Sequence, residues 1–293
     1  MYISYSNEIY DHFEKLSELY EKIKANAIKQ NQTHKIEILK AEELIIEKKR
    51  NFNKVLKNSV KFKMEACHDL LPTDTPPLEY LKNFIQTINL PYESICIELD
   101  ENILGANQDT PLVIIAQQEE DEISIYALTK FNNEWNYLHS VSEDNLVYAV
   151  LNKDTFDGYI LGLDALVSHE SRNQISNWMN KVAIRSVCNL LCALSCSNTR
   201  IDNSPYPPSN TKNKLRRSKN KLPLFEFKIL TVDTSKSPTQ KDSNSSNTGK
   251  HASPRVHLRR GHIRKLPDKN VWVNSCVVGE KKNGIIQKDY LVK

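Results

Sequence analysis

Leu112-Val113-Ile114-Ile115-Ala116 is a short, unbroken apolar run, and its reading decides the fold. Five such residues are too few for a buried helix and are β-branched enough to predict a central strand. Upstream, Leu90-Pro91 leads into Ser94-Ile95-Cys96-Ile97-Glu98-Leu99, which alternates as a half-buried strand does. Downstream, Ile123, Ile125 and Ala127 alternate with Ser124 and Tyr126 over 122–128, and Trp135 to Val141 supplies a further strand. Asn132-Asn133 stands between these two as a hairpin turn. The middle of the chain therefore reads as a mostly antiparallel meander.

Ser171 to Cys196 predicts the helix that covers it. Ile175, Trp178, Met179, Val182, Ile184, Val187, Leu190, Leu191 and Leu194 make it apolar on more than one side, as a helix buried against a sheet must be. Cys188, Cys192 and Cys196 fall in line on it without the close C-x-x-C pair that thiolate metal sites use. They read as small core residues, and no metal and no cofactor is expected.

The N-terminus is helical. Ile9, Phe13, Leu16, Leu19, Tyr20 and Ile23 recur at helical spacing, and a second helix begins near His34. Phe52, Val55, Leu56, Val60 and Phe62 continue it or form a third. Leu70-Leu71-Pro72 to Pro76-Pro77 breaks the pattern, and a short helix through Tyr80, Leu81, Phe84 and Ile88 follows. The expected fold class is α+β: an N-terminal helical hairpin, a central antiparallel sheet with a buried helix, and a small basic C-terminal β unit. The expected divisions are a helical region at 1–71, an α+β core at 72–200, a polar and basic linker at 201–252 and a basic β unit at 253–293. Within the linker, Lys212 to Lys221 reads as a mobile basic block, 222–232 as one strand, and Thr234 to Ala252 as a disordered polar tract.

Charge is distributed unevenly. The formal net charge is +4, yet from Asn210 onward 20 Lys and Arg face 6 Asp and Glu, leaving 20 basic against 30 acidic groups in the rest. An acidic body with a basic tail points to a polyanionic partner. The densest part is Arg255-Val-His257-Leu-Arg259-Arg260-Gly261-His262-Ile-Arg264-Lys265, with no acid before Asp268. Arginine offers bidentate phosphate contacts, and Trp272, His262 and Tyr290 are the stacking candidates. The candidate nucleic-acid-binding set is Arg255, His257, Arg259, Arg260, His262, Arg264, Lys265 and Trp272. No nucleotide-binding glycine loop and no G-x-S-x-G, H-E-x-x-H or C-x-x-C motif occurs. His257 and His262 are the one acid–base pair on offer, but five residues apart on a strand they fall on opposite faces unless Gly261 forms a bulge. No run approaches the ~18 apolar residues of a membrane span, no signal peptide is apparent, and the cysteine spacing fits a reducing cytoplasm.

The R-V-H-L-R-R-G-H-I-R segment followed by a Trp-containing strand resembles the C-terminal signature of a type V anti-CRISPR family that suppresses production of the effector nuclease. The likeness extends upstream through Asp74-Thr75-Pro76, Leu90-Pro91, Leu190 to Ala193 and Asp202. It implies a non-enzymatic phage or mobile-element regulator. Such a protein recognises a target polypeptide, nascent in that family, and causes loss of the message being translated. The partners expected are that polypeptide and RNA or a ribosome-associated complex, with no membrane. The alternatives are a ribonuclease using His257 and His262, and a DNA-binding accessory protein of a mobile element.

Overall fold

The computed structural model describes residues 4–63, 75–101, 110–131, 134–137, 148–161, 169–233, 255–259, 262–273, 276–278 and 280–285. Helices α1 (Tyr5–Lys29) and α2 (Thr33–Asn58) form the expected hairpin. Its tight turn places Asn31 at φ 53°, a left-handed conformation that asparagine tolerates. Beneath it lies a nine-stranded sheet ordered β7-β6-β4-β3-β2-β1-β9-β8, with β5 also on β4. The strands are β1 (Val60–Lys63), β2 (Ser94–Glu101), β3 (Thr110–Gln118), β4 (Glu122–Phe131), β5 (Glu134–Tyr137), β6 (Tyr148–Asn152), β7 (Gly158–Leu161), β8 (Thr199–Asn203) and β9 (Phe227–Val232). The β2–β3–β4–β5 meander is as expected, and all its pairings are antiparallel.

One strand was expected to be helical. Val60 and Phe62 do not continue α2: the helix ends at Asn58, Ser59 turns extended, and Val60-Lys61-Phe62-Lys63 runs as β1 between β2 and β9, parallel to both. The apolar–charged alternation has period two, but it abuts the helical spacing of Phe52, Val55 and Leu56, which masks it. The sheet thus joins a strand from the 1–71 region and one from the 201–252 segment to the core strands.

Each face of the sheet is covered. On one, Ile9 and Phe13 of α1 with Phe52 and Leu56 of α2 pack on Cys96, Val113, Ile115, Leu128 and Trp135. On the other, Ile95, Ile97, Leu112, Ile114, Ile123 and Ile125 meet α3 (Pro77–Leu81) and a continuous helix over 169–194. That helix comprises α4 (His169–Trp178), a π-helical segment (Met179–Ile184) and α5 (Arg185–Leu194). Fully burying an aliphatic or aromatic side chain contributes about 1.5–3 kcal/mol, so the two faces together dominate stability. Cys188, Cys192 and Cys196 are buried in this second layer, and desolvation pushes the Cys188 thiol up to about 12. The far half of the helical hairpin packs on itself among the described residues, through Tyr20, Ala27, Leu39 and Ile46. Exposed ion pairs Lys24–Glu43 and Arg50–Glu21 tie its two arms.

The hairpin is fastened at both ends by buried charges. Glu98 of β2, 4% exposed, accepts from the backbone N–H of Tyr5 (3.1 Å) and Ser6 (2.7 Å) and from the hydroxyls of Ser4 and Ser6. These are the unpaired donors of the first turn of α1, where the helix dipole favours a carboxylate. Lys61 of β1, 3% exposed, donates to the carbonyls of Leu56, Ser59 and Lys57 at the end of α2 and lies 3.8 Å over the Phe225 ring. Burial nevertheless lowers its ammonium to about 8.

The basic block expected to be mobile is ordered. Asn210–Ser218 forms helix α6, and Arg216 makes two bonds to the Asp11 carboxylate of α1, at 3.1 and 2.9 Å. Lys221 reaches the same carboxylate at 2.9 Å. A nine-residue helix rich in one charge is unstable alone, and α1 supplies the counter-charge.

Two outcomes test the fastening. Glu98→Ala should lower the unfolding free energy in urea by about 2–4 kcal/mol, because several charge-assisted bonds at the start of α1 are lost together. The lowered Lys61 value means that the unfolded chain binds more protons between about pH 8 and the ordinary lysine value, so this group's contribution makes stability rise with pH across that window. Between pH values near 7.5 and 9.5, the wild type should gain about 2 kcal/mol relative to Lys61→Met. A difference that stays flat with pH contradicts the assignment.

Candidate nucleic-acid interface

The cationic segment was expected as one strand of one small unit, and it divides between two sheets. β10 (Arg255–Arg259) is the middle strand of a three-stranded sheet. It lies antiparallel to β13 (Cys276–Val278) and parallel to β14 (Glu280–Ile285). Asn283-Gly284 falls in an irregularity between the pairs Arg255↔Glu280 and Val256↔Ile285. β11 (His262–Lys265) instead pairs with β12 (Asn270–Val273) as a separate two-stranded hairpin. Arg260 and Gly261, at the junction, and Tyr290 lie outside the described residues. His257 and His262 consequently occupy different strands of different sheets.

The β11–β12 hairpin is built into the body. Ile263 and Trp272, cross-strand partners, are 8% and 7% exposed and join the core that α5 and α3 form over the main sheet. The Trp272 ring is therefore a core element and not an exposed stacking platform. Asn198, itself buried, acts as a strand fragment beside it: its Oδ1 accepts from the Trp272 N–H at 2.8 Å and its Nδ2 donates to the Trp272 carbonyl at 2.9 Å. At the other end of β12, the Asn270 carbonyl accepts from Ser197 N–H, and its side-chain amide donates to the Phe84 carbonyl at 2.9 Å. The Lys265 ammonium donates to the Asn83 carbonyl at 2.7 Å.

This docking leaves a polar groove of about 500 Å³ between residues 82–86 and 265–270. Lys82, Lys265 and Lys269 are exposed on its rim, with Asp268 as the one acid among the lining residues, and Arg264 is exposed on the adjoining strand. His262 is half-buried beside it. Of the predicted set, Lys265 thus lines the groove, Arg264 is exposed next to it on the strand, Trp272 is withdrawn into the core, and Arg255, His257 and Arg259 belong to the β10 sheet. Lys82 and Lys269 were not anticipated: Lys82 is remote in sequence, and Lys269 follows Pro267-Asp268, where the run of cations ends. No group of three or more His, Cys, Asp or Glu able to hold a metal occurs among the described residues. No described helix is long and apolar enough to cross a membrane.

Asn198→Ala should strand the buried N–H and C=O of Trp272 at a cost of about 2–4 kcal/mol. Hydrogen exchange across 262–273 should quicken more than across β3, and equal change in both regions would mean that Asn198 does not anchor the hairpin specifically.

The family model described as anti-CRISPR type V subtype A2 (AcrVA2-like) matches residues 62–267. The match begins within β1 and ends in the turn after β11, so it takes in the main sheet, the long helix and α6, and omits the N-terminal hairpin. No curated protein and no solved structure matches the chain. With well over half its length covered, the chain belongs to the AcrVA2-like, type V subtype A2 family of anti-CRISPR proteins.

Proposed function

We propose that this anti-CRISPR protein lowers expression of a host defence nuclease by binding, with no chemistry of its own. In this reading the acidic body holds a target polypeptide, nascent on the ribosome. The basic segment Arg255 to Lys265 holds RNA or a ribonucleoprotein. Membership of an anti-CRISPR family supports the defence-evasion role. The observation that carries the RNA contact is the exposed set Lys265, Lys269 and Lys82 around one polar groove, with Arg264 exposed on the adjoining strand of a hairpin fixed in the body. Cations held on a rigid frame contact phosphates with little sequence preference and strong salt dependence. Such a contact suits a protein whose specificity comes from a peptide.

The docking of Ile263 and Trp272 in the core dictates the test. Deleting the C-terminal segment would open the body, so surface charges are the proper target. Arg264→Glu with Lys269→Glu should leave the thermal transition close to that of the wild type. In pull-downs from cells that produce the nuclease, the wild type should recover the nuclease message and its nascent chain. The double variant should lose the message by about ten-fold, the change expected from removing on the order of 1.4 kcal/mol. Equal recovery of RNA by both proteins would remove this surface from the proposal.

A further inference from the structure

We infer that α6 and the Pro205–Ser209 loop form a second contact for single-stranded RNA, separate from the C-terminal strands. It rests on the RNA-directed reading above. The segment from Lys212 to Lys221 carries six cations and no acid. The structure leaves Lys212 half-buried and divides the other five into two kinds. Arg216 and Lys221 turn inward to Asp11 and hold the helix on α1. Lys214, Arg217 and Lys219 are exposed and point to solvent.

The helix is held as a rigid platform. Arg216 Nε donates to the Leu222 carbonyl, Asn213 Oδ1 accepts from Leu224 N–H at 2.8 Å, and Asn7 bonds both Pro223 and Phe225. Basic residues in a last turn offset the helix dipole, which accounts for Arg216 and Arg217. It does not account for Lys214, in the middle of the helix, or for cations that form no ion pair among the described residues. Like charges three and four apart destabilise a helix, and here α6 is anchored in spite of that.

Beside the helix lies a groove of about 270 Å³ lined by Tyr206, Pro207, Phe225, Phe227, Lys63 and Lys212. Tyr206 on its lip is 87% exposed, the most exposed of the large hydrophobic side chains described. A solvent-facing aromatic that shares a groove with two lysines, beside a basic helix, is an arrangement on which unpaired bases stack while phosphates are neutralised. An acidic polypeptide would use the cations and leave the ring idle. Duplex nucleic acid would likewise find no unstacked base for it. The juxtaposition of Tyr206 with Lys63 and Lys212 in one groove, on whose bordering helix Lys214 and Arg217 are exposed with Lys219 just beyond, therefore favours single-stranded RNA.

The experiment uses the full chain and a fluorescent oligouridylate, with binding followed by anisotropy across a salt series. The variant Lys214→Glu/Arg217→Glu/Lys219→Glu should bind about ten-fold or more weakly, and its slope of log affinity on log salt should fall by about 2, since each phosphate contact to a single strand contributes about 0.7. Tyr206→Ala, which removes no packing, should weaken binding several-fold with the slope unchanged. That arm decides the question if the triple variant proves unstable in urea. Unchanged affinity in both variants, with loss in Arg264→Glu/Lys269→Glu, overturns this inference and leaves the proposed function standing. A wild-type chain that binds no oligouridylate overturns both. Displacement of the RNA by polyglutamate together with an unaffected Tyr206→Ala would make the surface one for acidic polypeptide, and would also overturn the inference.

Discussion

Two buried charges on neighbouring strands hold this fold together. Glu98 takes the free N–H groups at the start of α1, and Lys61 takes the free carbonyls at the end of α2. A helix end brought to a protein interior must find partners for these groups, because each one left unpaired costs about 1–3 kcal/mol. The two residues sit on β1 and β2, which run parallel and side by side, with Lys61 opposite Cys96 and Lys63 opposite Glu98. The sheet therefore presents a carboxylate and an ammonium where a helical hairpin begins and ends. Each charge is compensated by the dipole of the helix it meets. This fixes the position of the hairpin over the sheet face, and the aliphatic contacts of Ile9, Phe13, Phe52 and Leu56 follow from it.

The same constraint reaches the C-terminal half. Because β1 is central, β9 can join beside it, and the backbone between α6 and β9 passes the start of α1, where Asn7 and Asp11 bind it. The basic helix α6 owes its order to that passage. On the opposite face, the β11–β12 hairpin inserts Ile263 and Trp272 into the core, with Asn198 completing the pairing of Trp272. Charged segments that look detachable in the chain are thus held by a few buried side chains, hydrogen bonds and ion pairs each. For a binding protein this has a direct consequence. Cations on a fixed frame lose little entropy when a ligand arrives, and their affinity is that much greater.

The cysteines illustrate how burial decides chemistry. Cys188, Cys192 and Cys196 line up along the long helix and its end, yet they are buried in a core of aliphatic side chains, where desolvation raises the Cys188 and Cys192 thiols and suppresses the thiolate that a metal or an electrophile would need. The spacing alone left a metal conceivable. Their surroundings make them packing residues.

Local pattern was sufficient wherever a single period ran uninterrupted. The apolar run at 112–116, the alternation at 94–99 and 122–128, and the broad apolar surface of 171–196 declared themselves because side-chain period follows directly from backbone geometry. The helical hairpin and the α+β class were legible for the same reason. β1 was not, because four residues of alternation follow directly on a helix whose own period blurs the boundary. Nor was the division of the cationic segment, since one continuous run of Arg and His carries no signal for which partner each half will pair with. Of the site, the sequence by itself determined the excess of positive charge and the presence of Arg264 and Lys265. Only the tertiary structure decided that Trp272 is core, that Lys82 and Lys269 share the surface, and that α6 is a fixed platform. Those outcomes depend on Asn198, Asn83 and Asp11, which lie far away in the chain, and hydrogen bonds and ion pairs between distant residues leave no periodicity to read.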